Sequence, residues 1–533
     1  MQVAVRVALV GACVLLLVHC GGGGGGSSSP SLSQPTAAGP QSTGALPQPS
    51  GTAPSAPVAV APTTPNCSGP APDPGCPPVV VDPGPTFPQA NVGQWAQLPN
   101  LPISPVHVVY LPNGRMMLVG REHNQILWDP LTQAVSTLPN PGYDLFCAGH
   151  GYLGDGRVLL AGGHLADFVG LSDASVYDPR TNGWTRAPDM NAGRWYPTVT
   201  TLPNGDALVL SGTVDGEFDM NPLPQVYQAA SNTWRDLSSA QLRQPMYPMM
   251  FVLPNGRVVD VGPDTTTRTL DTSGTGSWSF VANRNHGFRD YGTAAMYAPG
   301  KILVVGGGDP PVASAEVIDM NAANPGWRTV GSMSVARRHL TSTLLPDGTV
   351  LVTGGTSGPG HNNANTPVLS AELWNPSTET WTTLSSGSVA RLYHSAAVLL
   401  PDGRVVVLGG ERNAGDVFRE VEIFSPPYLF KGARPALGGV PAQVAYGQQF
   451  TVQSAQAAGI AKVTLIRLSA VTHAFNMDQR INELPFTRGP VALEITAPAN
   501  ANLAPPGFYM LFLVDGNGVP SVGSIVQLGA TAG

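Results

Sequence analysis

One short pattern recurs seven times along this chain, and it limits the folds that the chain can adopt. In each copy an apolar run leads into a tight turn that contains glycine, and a second apolar run follows and ends in glycine. Asn-Gly and Asp-Gly between apolar runs favour β-hairpins, because the central residues of such turns need positive φ. The turn glycines of the seven copies are Gly114, Gly156, Gly205, Gly256, Gly300, Gly348 and Gly403.

Each hairpin is followed by two more strand-like segments, so that a complete unit has four. The third segment is a stretch such as SVYDP or ELWNP, and the fourth usually begins with Trp. Four short strands repeated at a spacing of 42 to 55 residues predict a Kelch-type β-propeller with seven blades. The last unit lacks its Trp, whereas Trp95 precedes the first unit. We therefore expect residues 93–98 to supply the outer strand of the last blade and close the ring, which removes an open sheet edge.

The part of the chain after the seventh unit has strand-like runs but no repeat. From about residue 434, runs such as VALEITA and GFYMLFLVD are separated by Pro and Gly turns, a pattern that predicts a β-sandwich. The predicted fold is thus all-β. A seven-bladed Kelch-type β-propeller over residues 93–430 is followed by an immunoglobulin-like β-sandwich over residues 434–533.

The N-terminal segment predicts export. A basic residue precedes an apolar run over residues 7–18, which is too short to span a bilayer comfortably. The run ends at His19-Cys20, which is typical of a lipoprotein signal with Cys20 as the lipidated residue, although a small residue usually stands in place of His19. Ordinary secretion is the alternative. We expect residues 1–20 to be the signal and residues 21–88, rich in Gly, Ser and Pro, to be a disordered tether.

Composition and the export signal limit the partners. Charged residues make up 11% of the chain, the net charge is −7 and no Lys/Arg cluster stands out, so we expect no nucleic-acid partner. A lipid anchor at Cys20 would place the protein at the cell surface or in the periplasm and would be its only membrane attachment. Without that anchor the protein would be secreted. We expect a monomer in either case.

The five cysteines of the chain divide into three groups. Two of them, at positions 13 and 20, belong to the predicted signal. Cys67 and Cys76 lie in the tether and are candidates for a disulfide, since an exported protein meets an oxidising environment. Cys147 is then the only cysteine in the region predicted to fold. From the number and positions of the cysteines alone, the simpler interpretation is that Cys147 is a buried free thiol.

The repeat also predicts which side chains meet at the centre of the propeller. Residues nine positions before the turn glycines share one register at the start of the innermost strands, so we expect a ring at one mouth of the channel, where propellers bind ligands. The ring residues are Pro105, Cys147, Tyr196, Tyr247, Tyr291, His339 and His394. Imidazole and phenolate are good ligands for Cu(II), and Tyr393 adds a further phenol beside His394. Packing tyrosines and hydrogen-bonded structural histidines are the alternative, and the residues alone leave both interpretations open.

Four segments of the sequence resemble the copper radical oxidases, the group of glyoxal oxidase and galactose oxidase. The segments are FCAGHGYLGDGRVLLAGG, GRWYPTVTTLPNG, ARLYHSAAVLLPDGRVVVLGG and VTHAFNMDQR. The resemblance implies that Cys147 is joined to the ring of Tyr196 by a thioether and that this pair forms a radical cofactor. It further implies that Tyr196, His394 and His473 are equatorial ligands of one copper ion. Tyr393 would be the axial ligand and the base.

The same resemblance implies an activity. The enzyme would oxidise an aldehyde, as its hydrate, or a primary alcohol. O2 would be the oxidant and would be reduced to hydrogen peroxide. In the galactose oxidase branch a tryptophan from a loop stacks over the cross-linked tyrosine, but Val214 stands near that place here, and the RWY sequence is more similar to glyoxal oxidase. We therefore expect a glyoxal-oxidase-like enzyme and not strictly a galactose oxidase. Candidates for the substrate pocket are Tyr247, Tyr291, His339 and Arg289, with packing as the alternative.

A second hypothesis is a surface-anchored Kelch propeller that binds carbohydrate or protein and catalyses no reaction. It accounts for the fold, the tether and the anchor. It leaves unexplained why Cys147, Tyr196, Tyr393, His394 and His473 occur together.

Overall fold

The seven predicted hairpins are present in the structure, a computed structural model that describes residues 88–413 and 415–529. All seven turn glycines have positive φ, between 74° and 93°. Each hairpin belongs to an antiparallel sheet that contains the four strands of one blade, so the described residues contain seven such sheets, consistent with a seven-bladed propeller. Six of these sheets have four strands, and that of the first blade has six because a hairpin from the C-terminal region joins it. The predicted signal, the tether up to residue 87, Cys20 and the Cys67–Cys76 pair lie outside the described residues.

The first four sheets, here called blades 1 to 4, follow one another along the chain. Blade 1 has the strands His107–Tyr110, Met116–Val119, Gln125–Trp128 and Val135–Thr137. Blade 2 has the strands Gly149–Tyr152, Val158–Ala161, Ala174–Asp178 and Gly183–Arg186. Blade 3 has the strands Thr198–Thr201, Ala207–Leu210, Gln225–Gln228 and Thr233–Asp236. Blade 4 has the strands Met250–Val252, Val258–Asp260, Thr266–Asp271 and Ser277–Asn283.

Blades 5 to 7 continue the series. Blade 5 has the strands Thr293–Ala298, Lys301–Val305, Ala315–Asp319 and Trp327–Val330. Blade 6 has the strands Thr341–Leu344, Val350–Thr353, Ser370–Asn375 and Thr380–Ser386. Blade 7 has the strands Ser395–Leu399, Val405–Gly409, Val421–Ser425 and Gln94–Leu98. Two short hairpins extend the loops of blades 2 and 7, and their strands are His164–Ala166, Val169–Gly170, Glu411–Asn413 and Asp416–Val417.

The outer strand of blade 7 comes from the other end of the propeller sequence, as predicted. Gln94–Leu98 pairs antiparallel with Val421–Ser425, and Trp95 lies opposite Phe424. Its indole Nε1 donates to the carbonyl of Ser385 in blade 6, at 2.8 Å. The strand thus covers the edge that blade 7 would otherwise expose.

The repeated tryptophans of the outer strands connect neighbouring blades. Each indole is half-buried, and its Nε1 donates a hydrogen bond to the preceding blade or to the loop that follows it. The residues concerned are Trp184, Trp234, Trp278, Trp327 and Trp381. Indole suits this position because it combines a large apolar surface with one hydrogen-bond donor at its tip.

The C-terminal region forms two packed sheets. The first has five strands, in the order Gln443–Val444, Ser524–Leu528, Gly507–Asp515, Ile460–Arg467 and Ile481–Glu483. The second has three strands, in the order Gln449–Gln453, Ala492–Thr496 and Phe486–Arg488. The described helices are all short, namely the α-helix Gln89–Val92 and the 3₁₀ turns Pro427–Phe430 and Ala457–Gly459. Nowhere in the described part of the chain is a helix both long and apolar enough to cross a membrane.

One hairpin of the C-terminal region joins the propeller. Its strands are Ala470–Thr472 and Phe475–Asn476, and the first of them pairs antiparallel with His107–Tyr110, the innermost strand of blade 1. His473 lies in the turn between the two strands. The fold therefore places a C-terminal histidine among the innermost strands of the propeller.

Candidate metal centre

Six of the seven predicted ring residues have left-handed backbones. Their φ values lie between 46° and 69°, and the residues are Cys147, Tyr196, Tyr247, Tyr291, His339 and His394. The exception is Pro105, whose pyrrolidine ring excludes positive φ. A non-glycine residue in this region costs about 1–3 kcal/mol, so the surrounding blades must hold it there. Backbone hydrogen bonds connect neighbours in the ring, since Tyr196 donates to Cys147 and Tyr247 donates to Tyr196, each at 2.9 Å.

Two phenols and two imidazoles converge beside this ring. The hydroxyls of Tyr196 and Tyr393 are hydrogen-bonded to each other. The ring of His473 lies with its centroid 4.4 Å from that of Tyr196 and 4.5 Å from that of His394. Tyr393 stacks on His394 at 3.7 Å. His394 lies just before the first strand of blade 7 and has a φ of 69°. This breaks the alternation of side chains in a regular strand, so Tyr393 and His394 can both face the same centre.

The nitrogen atoms of the two imidazoles have different surroundings. Nδ1 of His394 lies 3.3 Å from Glu411 Oε2, and Nδ1 of His473 lies 2.6 Å from Thr472 Oγ1. Nε2 of each ring is buried without a hydrogen-bond partner. Nδ1 of His394 is close enough to Glu411 for an ion pair, but the two atoms are not aligned as a hydrogen bond. Burial lowers the pKa of both imidazoles below the ordinary value, which favours the neutral form that binds metals.

This donor set fits copper. Two unpartnered imidazole nitrogens and two phenol oxygens are the mixed nitrogen and oxygen ligands that Cu(II) favours. In the described residues no group of three or more His, Cys, Asp and Glu side chains is placed to hold a metal ion. The candidate centre therefore depends on its phenols, and a search for the commoner ligand types alone would miss it.

Cys147 lies directly against this group. It is fully buried, it is the one free cysteine of the described residues, and it belongs to the same buried cluster as Tyr196, whose backbone N–H donates to its carbonyl. Burial raises the pKa of the Cys147 thiol well above its usual value, and the neighbouring Tyr196 side chain offsets part of that effect. Its backbone N–H donates to Nε2 of His107 at 2.9 Å.

Comparison with known proteins decides the family. Residues 434–528 match the family model of the galactose oxidase-like early set domain, and residues 309–428 match that of the glyoxal oxidase N-terminus. A galactose oxidase of Gibberella zeae is 30% identical over 496 residues, which cover 83% of this chain and 72% of that protein. The chain belongs to the copper radical oxidases. An aldehyde oxidase of Vitis pseudoreticulata is 29% identical over 435 residues, covering 72% of this chain and 82% of that protein.

A solved structure agrees with this assignment. A fungal alcohol oxidase of the AA5 family in complex with copper matches with a TM-score of 0.75 and 26% identity, over 82% of this chain and all of the other. As a member of this family, the chain is a copper-dependent oxidase. The hypothesis of a Kelch propeller that only binds carbohydrate or protein is therefore not favoured.

A tryptophan stacks on Tyr196 in this copper radical oxidase, although the loop at Val214 supplies none. It is Trp195, whose ring lies 3.7 Å from that of Tyr196 with an angle of 8° between the planes. Its Nε1 donates to His164 at 3.1 Å, and Phe168 lies against it. The sequence comparison covered only the loop at Val214, which indeed supplies no tryptophan, and the stacking residue comes instead from the RWY sequence.

The pocket candidates of the oxidase fall into two groups. A small cavity is lined by Tyr196, Met246, Tyr247, Asp290, Tyr291 and His473. Tyr247 and Tyr291 thus border a space beside the phenol and imidazole group. The Tyr247 hydroxyl donates to the carbonyl of Ala148 at 3.0 Å, so that hydroxyl already has a structural partner. His339 packs against Tyr291 with a centroid distance of 4.3 Å but does not line the cavity.

Arg289 lies in a different environment. Its guanidinium pairs with Glu316 at 3.1 Å, and both side chains are buried. Blades 6 and 7 repeat this ion pair with Arg337–Glu372 and Arg391–Glu422. Arg289 does not line the cavity described above. An arginine recurring at equivalent positions of three blades is a feature of the scaffold, which explains why it stands so close to the ring in the sequence.

Proposed function

We propose that this oxidase holds one copper ion through the phenol oxygens of Tyr196 and Tyr393 and through Nε2 of His394 and His473. The observation that supports this most directly is the meeting of two buried, unpartnered imidazole nitrogens with two phenols that contact each other. Buried polar atoms without partners are rare in native proteins and call for an explanation. A metal ion between them supplies one.

We further propose that Cys147 and Tyr196 become joined by a thioether. Cys147 and Tyr196 lie in one buried cluster, the Tyr196 N–H donates to the Cys147 carbonyl at 2.9 Å, and both side chains are shielded from solvent. The new carbon–sulfur bond replaces the thiol S–H bond and one ring C–H bond, and O2 takes up the two electrons and two protons. Sulfur on the ring spreads unpaired spin, and the stack with Trp195 covers the ring from solvent.

The proposed reaction is the oxidation of an aldehyde hydrate or a primary alcohol by O2, which yields hydrogen peroxide. Bound copper would supply one-electron redox chemistry and would lower the pKa of the phenols that hold it. Tyr393, which is only half-buried, accepts the hydroxyl proton of the substrate as a general base. The Tyr196 ring, as a radical, would remove a hydrogen atom from the substrate carbon, and the second electron of the substrate would be taken up by the copper that these residues hold. O2 would then accept both electrons and two protons. The neutral imidazoles of His394 and His473 contribute lone pairs and no positive charge.

The cavity supports a small substrate of the glyoxal oxidase kind. Its lining of tyrosine, methionine and phenylalanine side chains is mostly apolar, with Asp290 as its charged member. We propose small aldehydes and alcohols in preference to galactose, with Tyr247 and Tyr291 as pocket residues and His339 as a support for Tyr291.

The proposed location follows from the N-terminal sequence. We propose that residues 1–20 direct export, that residues 21–88 form a tether, and that Cys20 carries a lipid that keeps a monomeric enzyme at the cell surface or in the periplasm. Secretion without an anchor remains the alternative.

Copper loading in air tests the proposal. Intact mass should show a loss of two hydrogens, denaturing electrophoresis should show faster migration, and Cys147→Ser should abolish both effects. A peroxide-coupled assay should then respond to small aldehydes or primary alcohols more strongly than to galactose. Wild-type protein that takes up no copper would refute the ligand set, and copper uptake without the mass loss would refute the cross-link.

A further inference from the structure

A buried carboxylate stands behind one of the two imidazoles. Glu411 begins the short hairpin that follows the second strand of blade 7, and it is 4% exposed. Its Oε2 lies 3.3 Å from Nδ1 of His394. The other imidazole has an uncharged group behind it, since Nδ1 of His473 contacts the hydroxyl of Thr472. The two histidines of the candidate centre therefore differ in the group behind them.

An arginine from the neighbouring blade fixes this carboxylate. Arg121 of blade 1 donates from NH2 to Oε1 of Glu411 at 2.8 Å and from Nε to Oε2 at 3.2 Å. Such a forked pair restricts the rotation of the carboxylate more than a single bond does. The Arg121 guanidinium also lies 4.3 Å above the ring of Phe146, whose centroid is 5.5 Å from that of His394. The carboxylate is thus held in one orientation beside the imidazole.

The backbone of Glu411 contacts the other proposed ligand of the same segment. Its N–H donates to the carbonyl of Tyr393 at 3.0 Å, and its own carbonyl accepts from the Asn362 side chain at 2.8 Å. Asn362 in turn accepts from the Tyr393 N–H at 3.3 Å. One residue thus contacts Tyr393 through its backbone and His394 through its side chain.

We infer that Glu411 is a positioning residue of the metal centre, and that it accepts the Nδ1 proton of His394 and so leaves the Nε2 lone pair free toward the two phenols. This inference rests on the proposed copper ligands. A carboxylate behind a metal-bound histidine fixes its tautomer and ring orientation and makes it a stronger donor. Because Arg121 balances the charge of Glu411, the carboxylate can remain ionised in a buried place.

Copper affinity separates this role from a purely structural one. We expect Glu411→Ala to weaken Cu(II) binding by about 10–100-fold in a chelator competition, with altered nitrogen hyperfine coupling in the EPR spectrum. Glu411→Gln keeps an acceptor oxygen but no charge, so its loss should be smaller, at least about 3-fold. The matched control is Asp416→Asn, which removes a half-exposed carboxylate of the same hairpin that pairs only with Arg412. That variant should bind copper like the wild type.

A second comparison tests the structural alternative. Arg121→Gln leaves Glu411 beside His394 but removes the forked pair that orients the carboxylate and balances its charge. It should therefore lower the melting temperature of the copper-free protein and weaken copper binding, though by less than Glu411→Ala does. The inference is wrong if Arg121→Gln loses more copper affinity than Glu411→Ala, since affinity would then follow the arginine and not the carboxylate, or if Glu411→Gln binds copper as Asp416→Asn does. That last comparison is decisive even if Glu411→Ala does not fold. Wild-type protein that binds no copper would refute the ligand set itself, and the inference with it.

Discussion

At the scale of single residues, the ring departs from what backbone energetics alone would select. Six positions have a positive φ, where glycine costs least, yet they are occupied by one cysteine, three tyrosines and two histidines. Six such residues in one register show that the blade geometry imposes the conformation. Glycine would cost less at these positions, so the side chains found there need another reason to be present. Their convergence on one candidate metal centre supplies that reason.

A buried histidine next to this ring should make stability depend on pH. His150 is fully buried, neither ring nitrogen has a hydrogen-bond partner, and burial lowers its pKa to about 3. Between this pKa and the unfolded value of about 6.5 the unfolded chain binds the extra proton, so stability from this group is complete above pH 6.5 and falls as the pH drops toward 3. The slope amounts to about 1.4 kcal/mol per pH unit for one proton.

The variant His150→Phe should remove that slope. Chemical denaturation of the copper-free protein at several pH values would give the unfolding free energy of both proteins. The difference between variant and wild type should move in favour of the variant as the pH is lowered. Other buried groups, such as Asp260, whose pKa burial raises to about 7, titrate in both proteins and cancel in the difference. Parallel pH profiles would contradict the assignment of a neutral, buried His150.

The residues that sequence reasoning found and missed differ in a physical respect. Counting back from the turn glycines located Cys147, Tyr196 and His394, because the blades repeat their backbone register. Trp195 was missed because neighbouring side chains point to opposite sides of a regular strand, which would separate Trp195 from Tyr196. The positive φ of Tyr196 breaks this alternation, and the two rings stack. Glu411 was missed because it lies in a loop after the second strand, where the blades share no register.

At the scale of elements, pairing between distant segments completes the fold. The closing strand was predictable because the seventh unit lacks its fourth strand with Trp, whereas Trp95 occurs before the first unit. The hairpin of His473 was not, since its strand belongs to no repeat and pairs with one more than 350 positions earlier. Only the family resemblance singled out His473, and strand addition to blade 1 explains how it reaches the candidate centre.

The closing strand gives a prediction at this scale. A protein that begins at residue 99 lacks Gln94–Leu98, so the strand Val421–Ser425 becomes an open edge. We expect this protein to associate or aggregate, because unpaired edges recruit other chains, and to melt at a lower temperature. A protein that begins at residue 88 keeps the strand and serves as the control. Size-exclusion chromatography and a thermal scan would distinguish them, and identical behaviour would contradict the closing role.

At the scale of the whole molecule, the candidate centre exists only where propeller and sandwich meet. Tyr196, Tyr393 and His394 come from the blades, and His473 comes from the C-terminal region. A buried group just after the hairpin fastens the two parts. Asp478 lies 3.2 Å from Nε of Arg467, accepts from the Thr201 hydroxyl of blade 3 at 2.9 Å, and accepts from the Tyr152 N–H of blade 2 at 3.1 Å.

Replacing that carboxylate should therefore affect both the fold and the centre. Asp478→Ala leaves the buried Arg467 without its charged partner, and breaking a buried ion pair typically costs about 3–5 kcal/mol of stability. Because Asp478 follows His473 by five residues, copper affinity should fall as well. The control Asp155→Ala breaks an exposed pair with Arg157 and should cost less than about 1 kcal/mol. Thermal unfolding and copper titration of the three proteins check this. If Asp478→Ala melts and binds copper as Asp155→Ala does, the Asp478 carboxylate does not help to hold the two parts together, and strand pairing with blade 1 and packing suffice.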